Sequence, residues 1–248
     1  ENDEIDDFIS DLSDIVEDEK NNHFFGQLVT FRSEDGRQEI IDGQQRLTTS
    51  LIFCAVIKEI AKSIQEKVFP KSDIKDQNHF HEYIELSKII ETVEDIIWSG
   101  NEATLIVQAR NKNGANIQKY FQELTTSVAT AEIYYKNNKK VNPIEKMHNA
   151  YNRLRKAVQK KLEECKTWEG RITVLKNIFY SFTKGFYVVM LSTPDSQEAF
   201  TIFETLNSRG KDLNASDIIK NHLMSIISSR NDGTKLSDVN KVWNEIAE

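Results

Sequence analysis

Five polar residues in a row, Asp42, Gly43, Gln44, Gln45 and Arg46, stand at the centre of "QEIIDGQQRLTTSLIF" (38–53). Gln38 to Ile41 reads as a short strand, and from Leu47 onward the apolar residues keep helical spacing. The polar run therefore falls where a strand turns into a helix. A helix start presents free backbone N–H groups and partial positive charge, so it accepts anions readily. Gly43 allows a backbone to approach a ligand closely. Arg46 adds a planar fork suited to phosphate oxygens. Gln44 and Gln45 carry amides for a base, a sugar or a water, and Asp42 can hold a cation or orient that water. A plainer account serves equally well here: Asp42 caps the helix and Arg46 pairs with it.

A second polar group lies far along the chain, in "FTIFETLNSRGKDLNASDIIKN" (200–221). Phe200, Phe203 and Leu206 supply a helix face, Gly210 reads as its stop, and Asn214 with Asp217 opens another helix. Glu204, Asn207, Arg209, Asp217, Lys220 and Asn221 are left for other work. Lys220 interrupts an apolar run and needs a partner, either Asp217 or a ligand.

Several chemistries are absent from the sequence. It contains no GxxxxGK[ST], no HExxH and no GxSxG. Cys54 and Cys165 form no CxxC, so a disulfide framework or zinc site is not suggested, and a reducing cytoplasm is the expected location. A net charge of −7 argues against coating nucleic acid by bulk charge. Arg153, Arg155, Lys156, Lys160 and Lys161 do cluster on one helix. A solvated face is the default reading of that cluster, and a phosphate-backbone contact is the alternative.

The elements that must carry these residues follow from periodicity. Residues 1–19 form an amphipathic acidic helix. "HFFGQLVTF" (23–31) and the residues before Asp42 form a hairpin around "SEDGR" (33–37). The helix from Gln44 to Val68 is apolar on nearly every side, so it should be central. Helices follow at about 79–98 and 116–124, "EATLIVQAR" (102–110) is a strand or extended loop, and "YYKNNKKVNP" (134–143) is a linker candidate. Pro143 suits the start of a helix running to Cys165. A helix at 168–183 leads to "GFYVVMLST" (185–193), a buried strand by its β-branched and aromatic content. Helices at 195–206, 215–228 and 237–247 complete the set. The fold class is α+β: a small β-containing core with a large helical elaboration. Three segments are expected: 1–70 with the first helix, hairpin and central helix, 71–184 as a helical body, and 185–248 packing back on the core.

Taken together, "IIDGQQRLTTSLIF" and "FTIFETLNSRGKDLNASDIIKN" resemble the paired signatures of the N-terminal domain of GmrSD-type modification-dependent restriction enzymes, a domain similar in fold to ParB and sulfiredoxin. The resemblance covers nearly the whole chain in order. It implies a domain that binds and hydrolyses an NTP with a divalent cation, Mg, and thereby controls a nuclease acting on modified foreign DNA in antiphage defence. It implies that Asp42, Gly43, Gln44, Gln45 and Arg46 form the nucleotide site, with Asn207, Arg209 and Gly210 at or near it. Asp42, Gln44 and Arg46 would then be catalytic, and Asp42 the metal ligand. The implied partners are the nucleotide, modified DNA and an HNH-type nuclease domain or subunit, with no membrane; a homo-oligomer is compatible with the reading. The family usually carries an "IPxYQRxYxW"-like segment before the first helix and a nuclease domain downstream. This sequence is expected to start after the one and stop before the other, so that the fragment alone should not cut DNA. The runner-up function is a non-catalytic, nucleotide-dependent DNA-binding or partner-docking module. A purely structural domain is the third.

Overall fold

The computed structural model describes residues 2–17, 22–69, 80–99, 104–105, 114–138 and 142–207. In chain order these form helix α1 (Asn2–Glu17), strands β1 (His23–Arg32) and β2 (Gln38–Asp42), helices α2 (Gln44–Val68) and α3 (Phe80–Ile97), short strands β3 (Trp98–Ser99) and β4 (Thr104–Leu105), helices α4 (Gly114–Thr126), α5 (Val128–Asn138), α6 (Asn142–Glu163) and α7 (Trp168–Gly185), strand β5 (Phe186–Thr193) and helix α8 (Ser196–Asn207). Helix dominates, and a small mixed sheet in the order β2-β1-β5 makes the fold α+β. Two compact units emerge, one of Glu1–His23 with Thr48–Tyr187, the other of Phe24–Leu47 with Val188–Glu248.

The larger unit is a helical body organised around α2. Leu51 to Lys58 is buried without a break, which no single face of a 3.6-residue helix can supply. The helix is therefore enclosed, as its all-round apolar sequence requires. Phe53 is fully buried and meets Phe8 of α1 at 5.4 Å and Phe182 of α7 at 4.9 Å between ring centroids, both edge-to-face. That geometry is the favoured one for aromatic quadrupoles.

Burial makes Lys58 the exception on α2. An unpaired ammonium at this depth would cost several kcal/mol. Its Nζ lies 2.8 Å from Glu94 Oε1 of α3 and donates to the Thr125 carbonyl of α4 at 3.0 Å. Burial raises the Glu94 carboxyl, but hydrogen bonding and charge from Lys58, with Lys62 adding to it, hold it below its ordinary value. Beside it on α2, Glu59 receives Nε and Nη2 of Arg155 from α6. Cys54 and Cys165 are free thiols, and burial pushes Cys54 up to about 12, leaving it protonated and inert.

The cationic cluster on α6 is largely engaged within this unit. Arg153 pairs with Asp6 and Lys161 with Glu17, both on α1, while Arg155 pairs with Glu59. The acidic face of α1 and the basic face of α6 thus answer each other, which supports the structural account of both charge runs.

Two expectations need correction. The segment 134–143 is no linker over its first half, because α5 runs through Tyr134 and Tyr135 to Asn138; residues 139–141 lie outside the described ones. Packing explains the helix: Tyr135 stacks on His148 at 3.7 Å, and Tyr134 lies 6.4 Å from Tyr120. Strand β5 is not buried either. Val188, Val189 and Met190 are 44%, 47% and 62% exposed, so both faces of the strand are open there; among the described residues β5 lies at the sheet edge beside β1. Its composition correctly indicated a strand, since β-branched residues fit a pleated surface whether or not it is covered.

His148 gives this body a pH dependence. Its Nδ1 is 3.0 Å from the Tyr120 hydroxyl and its Nε2 3.6 Å from Glu132 Oε1. Burial pushes the imidazole below its ordinary 6.5, with Glu132 pulling the other way. The unfolded chain therefore takes up this proton first as pH falls. The contribution is complete above pH 6.5 and is lost as pH drops toward the lower folded value. The melting temperature should fall between pH 7 and pH 5.5, and His148→Gln should flatten that slope. An unchanged slope in the variant, followed by scanning calorimetry, would remove His148 from the account.

Candidate functional site

The sheet and the first turn of α2, all within the smaller unit, position the polar run. Strands β1 and β2 pair antiparallel with Thr30 opposite Ile40 and Arg32 opposite Gln38, but Val29 faces Asp42 rather than Ile41. Ile41 is the extra residue of a β-bulge. A one-residue slip reverses which side of the ladder the next residue addresses. The bulge thus re-aims Asp42 at the point where β2 ends.

Gly43 then makes the turn with φ +89°, a conformation other L-residues rarely adopt. It is also the helix cap: its carbonyl accepts the Leu47 N–H at 3.0 Å. Asp42 takes a different job from the capping one considered for it. Its Oδ2 accepts from Arg46 Nη2 at 3.3 Å, an i, i+4 pair whose side chains keep 21% and 33% of their surface. Arg46 Nη1 donates to the Gln27 carbonyl of β1 at 2.5 Å. The guanidinium is thus held at two points, and among the described residues its other N–H groups meet no acceptor in these contacts. The Gln44 amide donates to the Ile40 carbonyl at 2.6 Å, which ties the helix start to the end of β2. Gln45 is exposed. No acidic residue occupies the first turn of α2, so Asp42 is the nearby carboxylate at this positive helix end.

Asp42, Gly43, Gln44, Gln45 and Arg46 are therefore brought together with alternating duties: carboxylate, turn, strand tie, exposed amide, cation. The second polar group is only partly described. Asn207 is the last residue of α8, which Asp195 opens by accepting the Glu198 N–H at 2.9 Å. Arg209, Gly210, Asp217, Lys220 and Asn221 lie outside the described residues. Among the described residues no three His, Cys, Asp or Glu side chains converge as a metal cage. Among these residues a divalent ion at Asp42 would thus meet at most two such side chains, with the other ligands coming from water or a bound ligand, a coordination Mg commonly accepts.

The pair of Arg46 with Asp42 was legible in the sequence, but the second partner of Arg46 was not. Gly26, with φ +112°, and the Gln27 carbonyl bring the β1 backbone against the guanidinium. The signal was in "HFFGQLVTF": an isolated glycine within a strand marks a bulge or a close backbone approach.

Set against known families, the chain is matched over residues 1–224 by the one described as the GmrSD restriction endonuclease, N-terminal domain. The chain belongs to that family. The expected resemblance to the GmrSD N-terminal domain is thereby established at family level. The GmrSD N-terminal domain is part of a restriction endonuclease system, and the family's enzyme acts on DNA. No curated protein matches the chain. No described helix of this GmrSD-family chain is long and apolar enough to cross a membrane.

Proposed function

We propose that this domain binds and hydrolyses a nucleoside triphosphate, and that the bound state governs a nuclease restricting modified foreign DNA. The observation that carries the reading is the Arg46 guanidinium at the start of α2. It is anchored by the Gln27 carbonyl and Asp42, and among the described residues its remaining N–H groups meet no acceptor. A guanidinium at the positive end of a helix forms an anion receptor suited to phosphate oxygens. Asp42 is a carboxylate beside it, available to orient water or to share a divalent ion with the phosphates. Such an ion, when bound, would neutralise charge developing on the transferred phosphoryl group. Gln45, being exposed, supplies a donor and an acceptor to the sugar or base, whereas Gln44 braces the turn. The family resemblance implies Asn207, Arg209 and Gly210 as further contributors to the nucleotide site.

The engagement of the Asp42 carboxylate by Arg46 favours a second reading, in which the domain senses nucleotide without turning it over. Phosphate release measured with several NTPs, beside binding affinity for each, separates the two. Binding without release supports the sensor, and failure to bind any nucleotide removes both. In either case Arg46→Ala should weaken nucleotide binding by roughly tenfold to a hundredfold, since charged hydrogen bonds contribute about 1.5–3 kcal/mol. Calorimetric titration checks it, and an unchanged affinity would place the anion elsewhere.

A further inference from the structure

Gly26 interrupts β1 at φ +112°, and a Cβ placed there would fall on Arg46 Nη1 and lie 3.1 Å from its Cζ. The guanidinium occupies the place a side chain would take. One residue on, the Gln27 carbonyl accepts from that same Nη1 at 2.5 Å. The opposite wall is equally close: a Cβ at Gly43 would come within 2.9 Å of the Gln27 oxygen and collide with Leu28 Cδ2. The backbone from Gly26 to Leu28 is therefore pressed between Arg46 and the turn that starts α2.

We propose that Gly26 and the Gln27 carbonyl are positioning groups for Arg46. One guanidinium nitrogen rests on the β1 backbone and the other on Asp42, which turns the remaining N–H edge toward an oxyanion. Arginine has long rotamer freedom to lose on binding, and a guanidinium already clamped by two acceptors loses less. That the oxyanion is a nucleotide phosphate rests on the function proposed above; the clamp itself does not.

The carbonyl cannot be deleted by substitution, so Gly26 is the handle. A merely structural glycine would cost the same in any background, because φ strain in β1 is indifferent to residue 46. A positioning glycine acts through Arg46. Gly26→Ala should weaken binding of ATP or another NTP about tenfold in the parent, add nothing in an Arg46→Ala background, and cost less in Arg46→Lys, whose ammonium lacks the displaced Nη1. Thermal melting of the parent, Gly26→Ala, Arg46→Ala and the double alanine variant gives a readout that needs no nucleotide: the loss in melting temperature from Gly26→Ala should shrink once Arg46 is alanine. If the parent binds no NTP, the nucleotide reading fails, and the melting cycle alone decides the clamp. Additive losses in that cycle, or in affinity where binding occurs, would overturn the proposal. Should Gly26→Ala alone fail to fold, recovery of folding in the double variant with Arg46→Ala supports the clamp. An unfolded double variant assigns Gly26 to strand strain and overturns it.

Discussion

Asp42→Ala should abolish nucleotide turnover, by about 10²–10⁴-fold, the range a positioned proton-transfer or water-orienting group supplies. Binding should respond in the opposite sense. A carboxylate repels phosphates unless a metal bridges them, and Asp42 also occupies Nη2 of Arg46 at 3.3 Å. Its removal lifts that repulsion and frees the donor while the Gln27 carbonyl still anchors Nη1, so metal-free nucleotide affinity should hold or tighten while hydrolysis is lost. The protein should remain folded. Gly43, not Asp42, caps α2, and a half-exposed ion pair contributes no more than about 1 kcal/mol. Phosphate release, titration without metal and thermal melting on the one variant test all three parts. Hydrolysis near the parent rate would reduce Asp42 to an ion-pair partner.

The second large effect is structural. Gly43→Ala should destabilise the protein by roughly 2–5 kcal/mol, combining a residue forced to positive φ with overpacking against a close wall. The new methyl would meet Leu28 Cδ2 and lie 2.9 Å from the Gln27 oxygen. The leucine can rotate, but the backbone carbonyl can yield only by shifting β1. Because that carbonyl also holds Arg46, the shift should loosen the cation as well as the turn. Chemical denaturation measures the loss directly. A variant as stable as the parent would show that β1 has room the geometry does not reveal.

Much of this was readable from residue order. The 3.6-residue period placed α2 from Gln44 to Val68, and its apolar girth identified it as the enclosed helix, because hydrophobic burial leaves a pattern in sequence. The strand-to-helix junction at Asp42–Arg46 was legible for the same reason. What a period cannot carry is partnership at long range. Lys58 sits in an apolar run much as Lys220 does, yet its match with Glu94 and the Thr125 carbonyl depends on how three helices meet. Arg46 showed the chemistry of an anion receptor but not its anchor, since a backbone carbonyl has no signature in residue type. The bulge at Ile41, which aims Asp42, is a register event between two strands and is invisible in either alone. Exposure of β5 likewise depends on what packs on its two faces, not on its valines.

Phosphate release from NTPs by the parent, Asp42→Ala and Arg46→Ala proteins, in the presence of Mg, tests the central claim most directly. The parent should release phosphate, Arg46→Ala should need a much higher nucleotide concentration to do so, and Asp42→Ala should release essentially none while still binding nucleotide. Equal release by all three proteins would contradict the assignment of this junction as the catalytic nucleotide site.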